Sequence, residues 1–138
     1  MQFTFGPHIR HPFFPWLSPT PAAEAKTVCS ALYGTFPELL RAAHAGAHAS
    51  RAVFVTLRQE ETPLSNRQRD TLWELFQVPS FVLLLDGKGR LLAYECEAQC
   101  GLHVNPKYPA RSPIESACEC GRPGDRVLLT AVAPVRVA

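Results

Sequence analysis

A chain of 138 residues, 46% of them hydrophobic, is long enough to bury a core and too apolar to remain disordered. Its 14 basic and 12 acidic residues leave a net charge of +2 with no block of like charge, which argues against a nucleic-acid surface. No apolar run approaches the roughly 18 residues of a membrane span, and the N-terminus lacks the basic start and long apolar stretch of an export signal, so the expectation is a cytoplasmic protein whose thiols stay reduced.

In chain order, residues 1–21 (MQFTFGPHIRHPFFPWLSPTP) come first. Their five prolines disfavour regular helix or strand. They are expected to form an arm whose aromatics wrap onto the rest of the chain. Phe13, Phe14 and Trp16 are also the candidate contacts to a protein partner or to a second copy of the chain. Residues 22–138 are expected to form one α/β domain.

The composition of residues 22–33 predicts a helix, stopped at Gly34. A second helix is expected from Pro37 to about Gly46, with Leu39, Leu40 and Ala43 on its apolar face. His44 and His48 have the i, i+4 spacing of a helical metal pair, but Gly46 falls between them and is expected to break the helix. AVFVTL at 52–57 reads as a buried strand. Ser65 followed by Gln68 is a capping box opening a helix through NRQRDTLWELFQ, with Leu72, Leu75 and Phe76 facing inward and Val78-Pro79 ending it. SFVLLL is a second strand, DGKG a turn and RLLAYECE a third strand. Strand, helix, strand predicts a right-handed parallel crossover. Final strands are expected at 126–132 and 135–137. The fold class is therefore α/β: a small mixed sheet with a β-α-β unit and a hairpin, N-terminal helices, and a cysteine-bearing loop at 96–120.

The chemistry is concentrated late. Cys96, Cys100, His103, Cys118 and Cys120 form the pattern C-x3-C-x2-H-x14-C-x-C. Two short ligand groups joined by a loop of about fifteen residues is the arrangement of a structural zinc site, which needs soft thiolates and an imidazole at tetrahedral corners. The preferred Zn2+ set is Cys96, His103, Cys118 and Cys120, with Cys100 as the spare or alternative ligand. Two other readings stand beside it: thiols buried merely as small apolar groups, and redox chemistry between them.

The segments PLSNRQRDTLWELFQVP and AYECEAQCGLHVNP resemble phenylacetate-CoA ligase and its relatives among the adenylate-forming enzymes. The likeness covers about residues 50–106. It implies an inherited α/β fragment in which Glu95-Cys96-Glu97-Ala98 and Gly101-Leu102-His103-Val104-Asn105 are partly fold-shaping. This chain departs from that family where the chemistry resides. A Tyr-Gly-x-Thr-Glu motif is replaced by SFVLLLDGKGRLLA, the Gly/Ser/Thr-rich phosphate loop is missing, and Lys107 is the last lysine. No nucleotide is expected to bind.

FQVPSFVLLLDGKGRLL also resembles the second half of a thioredoxin-like domain, yet Cys29 lacks a C-x-x-C partner. An active thiol redox protein would have to use the late cysteines. A hydrolytic zinc site with Glu95 or Glu97 as base would need an open coordination position. The expectation is a non-catalytic, zinc-stabilised module that binds another protein.

Overall fold

The computed structural model describes residues 9–25, 27–128 and 135. Its strands form a seven-stranded mixed sheet in the order β1-β2-β3-β4-β5-β6-β7, accompanied by two helices. The chain divides into two compact units, residues 1–56 with 64–80 and residues 57–63 with 81–138.

In the first unit, β1 (Thr20–Pro21) pairs in parallel with β2 (Val28–Gly34), which pairs in parallel with β3 (His48–Arg58). The helix α1 (Phe36–His44) connects β2 to β3 and makes this a β-α-β unit. Thr35 caps α1 through a capping box with Glu38, and Pro37 lies in its first turn. His44 closes α1 and His48 opens β3, so the two histidines do not share a helix face. The second helix, α2 (Asn66–Phe76), is opened by the expected box between Ser65 and Gln68, and Gln77 ends it in the left-handed conformation at φ 59°. Leu39 and Ala42 from α1, Leu72 and Phe76 from α2, and Leu32, Val53 and Val55 from the strands form one buried cluster. Each such side chain contributes about 1.5–3 kcal/mol by leaving water.

The helix expected at 22–33 is not there. Ala22–Glu24 makes a short 3-10 turn and Val28–Gly34 is β2. The alanine-rich composition favours helix only weakly, whereas parallel pairing of β2 with β3 along its length and with β1 near its end buries Ala31 and Leu32 completely. The described part of the N-terminal arm belongs to the same unit. His11 is buried, stacked 4.4 Å from the Phe14 ring and 5.7 Å from that of Phe54, and Leu17 is buried beside them in sequence. Residues 1–8 lie outside the described residues.

In the second unit, β4 (Ser80–Leu85) and β5 (Leu91–Glu95) form the expected hairpin. Asp86 organises the DGKG turn: its carboxylate accepts from the Lys88 and Arg90 amides and from the Arg90 side chain at 2.5 Å. β5 continues antiparallel into β6 (Leu102–Val104), and β6 into β7 (Arg126–Val127). β6 was legible only as loop; its three residues become strand because antiparallel neighbours flank both edges. Of the final strands expected from sequence, Arg126 and Val127 form β7 and Val135 makes an isolated bridge to Ala110. Residues 129–134 and 136–138 lie outside the described residues.

Candidate metal centre

Three segments of the second unit deliver the cysteines and the histidine. Cys96 follows directly on β5 and is fully buried. The chain then turns: the Gln99 amide donates to the Cys96 carbonyl at 3.0 Å, and Gln99 and Gly101 take φ of 54° and 103°. Gly101 is required here by its φ, and an added Cβ would also press on the end of the Ile114 side chain. The turn returns the chain into β6, whose central residue, His103, is 2% exposed and faces Tyr94 on one neighbour and Arg126 on the other. Cys118 and Cys120 come from a second tight turn, in which the Gly121 amide donates to the Cys118 carbonyl at 3.1 Å and Gly121 takes φ of 82°.

The ligand atoms of Cys96, His103, Cys118 and Cys120 all lie within 4.8 Å of one another. Cys96 Sγ is 3.5 Å from Cys118 Sγ, and Cys120 Sγ is 3.6 Å from His103 Nε2. With zinc bonds of about 2.3 Å to sulfur and about 2.0 Å to nitrogen, tetrahedral geometry separates two sulfurs by about 3.8 Å and sulfur from nitrogen by about 3.5 Å. The two measured separations fit that scale, and these four residues could hold a metal ion.

Cys100 stands apart from the four-atom group. Its residue is exposed, although its Sγ is 3.7 Å from Cys118 Sγ. Cys29, in β2, is half-buried with its Sγ near the Ala31 and His48 carbonyls at 3.4 and 3.5 Å. Phe14 is buried, Phe13 is half-buried, and Trp16 is 64% exposed.

The surroundings hold His103 in the form a ligand needs. Burial, with Arg126 and then Arg122 adding to it, lowers the pKa of His103, so the ring is held neutral, as a ligand must be. Burial pushes the Cys96 thiol up to about 12 in the metal-free state, against which the Ala98 and Gln99 amides offer hydrogen bonds to its sulfur. The Arg122 amide donates to Cys120 Sγ at 3.5 Å. Backbone amides aimed at sulfur stabilise thiolates once a metal displaces the protons.

Two arginines border the cluster, and sequence reasoning singled out neither. Arg126 is 4% exposed, and its guanidinium donates to the Cys100 carbonyl and, at 2.6 Å, to the Ser116 carbonyl. It thereby ties the first cysteine turn to the segment that leads into the second. These acceptors are formally neutral, and a buried cation is costly without compensating negative charge. Three thiolates, a neutral imidazole and a divalent ion would sum to −1 and would supply that charge. Arg122 pairs with Glu97, clamping one turn to the other. The strand-like alternation of Arg126 with Val127 was the signal available in the sequence, since it places Arg126 on the face opposite an apolar residue.

The carboxylates considered for a hydrolytic role are engaged elsewhere. Glu95 is buried and accepts from the Val82 amide at 2.8 Å, and Glu97 is the partner of Arg122. No family model matches this chain, and no curated protein matches it.

Proposed function

We propose that this chain is a non-catalytic module in which one zinc ion, held by Cys96, His103, Cys118 and Cys120, fixes the cysteine-bearing segment of the second unit. The observation that carries this reading is the convergence of four ligand atoms, from the residue after β5, from β6 and from a distant turn, within 4.8 Å. Four protein ligands close a tetrahedral site, as in structural zinc centres, whereas catalytic zinc keeps a position open. Three thiolates and one imidazole select zinc over harder cations such as magnesium and calcium.

The energetic case is direct. Between β6 and β7 the chain runs from residue 105 to 125 with one isolated bridge as regular structure. Closing a loop of about fifteen residues with a cross-link is worth roughly 3 kcal/mol by chain entropy alone. Structural zinc binding supplies an apparent 10–16 kcal/mol in small peptides, comparable to the whole stability of a domain. A metal therefore decides whether this segment is ordered.

The wider role in this reading is attachment to another protein, a second copy of the chain included, through the exposed Trp16 and the half-buried Phe13; Phe14 is already committed to internal packing. The resemblance to adenylate-forming ligases is read as descent of an α/β fragment that has kept its shape and lost the chemistry.

Chelation tests the metal directly. Adding a strong chelator is expected to lower the thermal midpoint of the wild type and leave that of Cys118→Ser unmoved, because the variant has already lost the site. A wild type indifferent to chelation, with Cys118→Ser equally stable, would end the zinc reading. Sedimentation of wild type against Trp16→Ser tests the attachment: concentration-dependent mass in the former alone supports it, and identical behaviour of both in the presence of a candidate partner counts against it. The close approach of Cys96 and Cys118 favours a second reading, a thiol redox protein, which predicts insulin reduction by the metal-free chain.

A further inference from the structure

Of the four late cysteines, the metal centre leaves one unused. Cys100 lies at the tip of the first turn, between two residues in the left-handed conformation, Gln99 and Gly101, and it is exposed while Cys96 and Cys118 are buried. Its sulfur is nevertheless 3.7 Å from that of Cys118. An Arg126 guanidinium nitrogen is 3.5 Å from the same sulfur, and that guanidinium also fixes the Cys100 carbonyl. We infer that Cys100 is an oxidation site for hydroperoxides, and that its oxidation expels the metal by capturing Cys118 in a disulfide. The inference rests on the zinc reading given above.

Access comes first. Cys100 is the exposed residue of the group, Cys120 is half-buried and Cys96 and Cys118 are buried, so a small oxidant reaches Cys100 first. Its thiolate attacks the terminal oxygen of a hydroperoxide. The S–O bond forms as the O–O bond breaks, and the displaced alkoxide or hydroxide leaves as alcohol or water after taking up a proton. The Arg126 guanidinium stands where it can stabilise the departing oxyanion. Cys118, as a thiolate, then attacks the sulfur of the Cys100 sulfenic acid. The S–S bond forms, the S–O bond breaks, and hydroxide leaves as water after protonation. Two thiols have supplied the two electrons that reduced one peroxide.

Geometry permits the second step. A disulfide needs about 2.05 Å between sulfurs, so the pair must close by about 1.7 Å, within the reach of side-chain rotation at a turn. Once bonded to Cys100, Cys118 has no thiolate to offer the metal. The centre falls to three ligands, Cys96, His103 and Cys120, with the second turn pulled toward Cys100, and it releases the ion. A dithiol reductant restores the four-ligand set by exchange at the same bond.

The experiment uses zinc-loaded full-length chain and hydrogen peroxide, with a chromophoric chelator reporting free zinc and peptide mapping reporting disulfides. Zinc content before treatment reads the metal reading by itself. The inference expects wild type to release its zinc with a Cys100–Cys118 disulfide. It also expects Cys100→Ser, carrying the same zinc and the same circular dichroism, to release it about tenfold more slowly or not at all. Equal release from Cys100→Ser, or a disulfide that maps to Cys96 and Cys118, overturns this inference and leaves the zinc reading standing. A wild type with no zinc before treatment overturns both. Recovery of zinc binding on adding dithiothreitol to oxidised wild type is the further expected result, and irreversible loss would contradict it.

Discussion

On the zinc reading proposed above, the two units of this chain reach an ordered state by different physics. The first closes a conventional core: α1 and α2 contribute Leu39, Ala42, Leu72 and Phe76 to a cluster with Leu32, Val53 and Val55, and both helices carry reciprocal capping boxes. The second has an apolar hairpin but then runs through residues 105–125 with almost no repeating structure, and its convergent side chains are sulfur and imidazole. In the first, order follows from area removed from water, which is spread over many residues and degrades gradually. In the second, whose strands bury Leu83, Leu84, Leu92 and Val127, the proposed zinc would add a few coordinate bonds on which the cysteine-bearing segment depends and which are lost together when one fails.

That contrast can be broken most forcefully by removing the metal. Chelation, or Cys118→Ser, is expected to abolish hydrogen-exchange protection in β6 and β7 and to leave α1 and α2 protected. The expected cost to the second unit is on the order of 10 kcal/mol, enough to unfold it outright. Uniform loss of protection across both units would show that the distinction drawn here is wrong. The reverse operation is Leu72→Ala, which empties a fully buried site in the first unit. Urea denaturation should show about 2–5 kcal/mol of destabilisation, with zinc content unchanged while the protein remains folded.

Much of the first unit was legible because its signals are local. Ser65 with Gln68, Pro37 and Gly46, and the apolar spacing of Leu72 and Phe76 are all short-range rules, and the helices obey them. β2 was misread because nothing within residues 22–33 announces the parallel partners on either side, and parallel pairing is a non-local fact. For the candidate metal centre the sequence offered five residues, with Cys96, His103, Cys118 and Cys120 preferred and Cys100 as the alternative. The ligand atoms of the preferred four lie within 4.8 Å of one another, because one turn follows Cys96 and returns His103 while a second turn carries Cys118 and Cys120. What spacing could not reveal is the surrounding support. Arg126 meets Cys100 and Ser116 only because β7 lies beside β6, and Arg122 meets Glu97 across 25 positions of chain.

Protons sharpen the comparison further. Zinc must displace the proton of Cys96, whose thiol burial has pushed up to about 12, so apparent affinity should rise with pH. Each displaced proton changes affinity about tenfold per pH unit, or about 1.4 kcal/mol. The metal-free protein should behave oppositely at high pH. A thiol with a raised folded pKa contributes stability that is complete below the unfolded value and is lost as pH rises, so the metal-free second unit should weaken in alkali while the zinc form does not. For His103 the folded pKa is depressed, so the unfolded chain takes up the proton more readily. Its contribution is complete above the unfolded value of about 6.5 and falls away on acidification, together with the metal. Calorimetric zinc titrations over this range check both signs; pH-independent affinity would contradict them.

The smallest effect belongs to the Arg122–Glu97 pair, in which Glu97 is half-exposed. Glu97→Gln should cost under about 1 kcal/mol and diminish in salt, as exposed ion pairs do. A loss as large as that of a ligand variant would mean that the clamp, and not the metal, organises the two turns.

The central claim is that four named side chains hold one ion. Elemental analysis of protein purified without chelator, across single variants at Cys96, Cys100, His103, Cys118 and Cys120, tests it most directly. The account predicts about one zinc per chain in the wild type and in Cys100→Ser, with loss from each of the other four. Metal-free wild type, or a Cys100→Ser as depleted as Cys118→Ser, would contradict it.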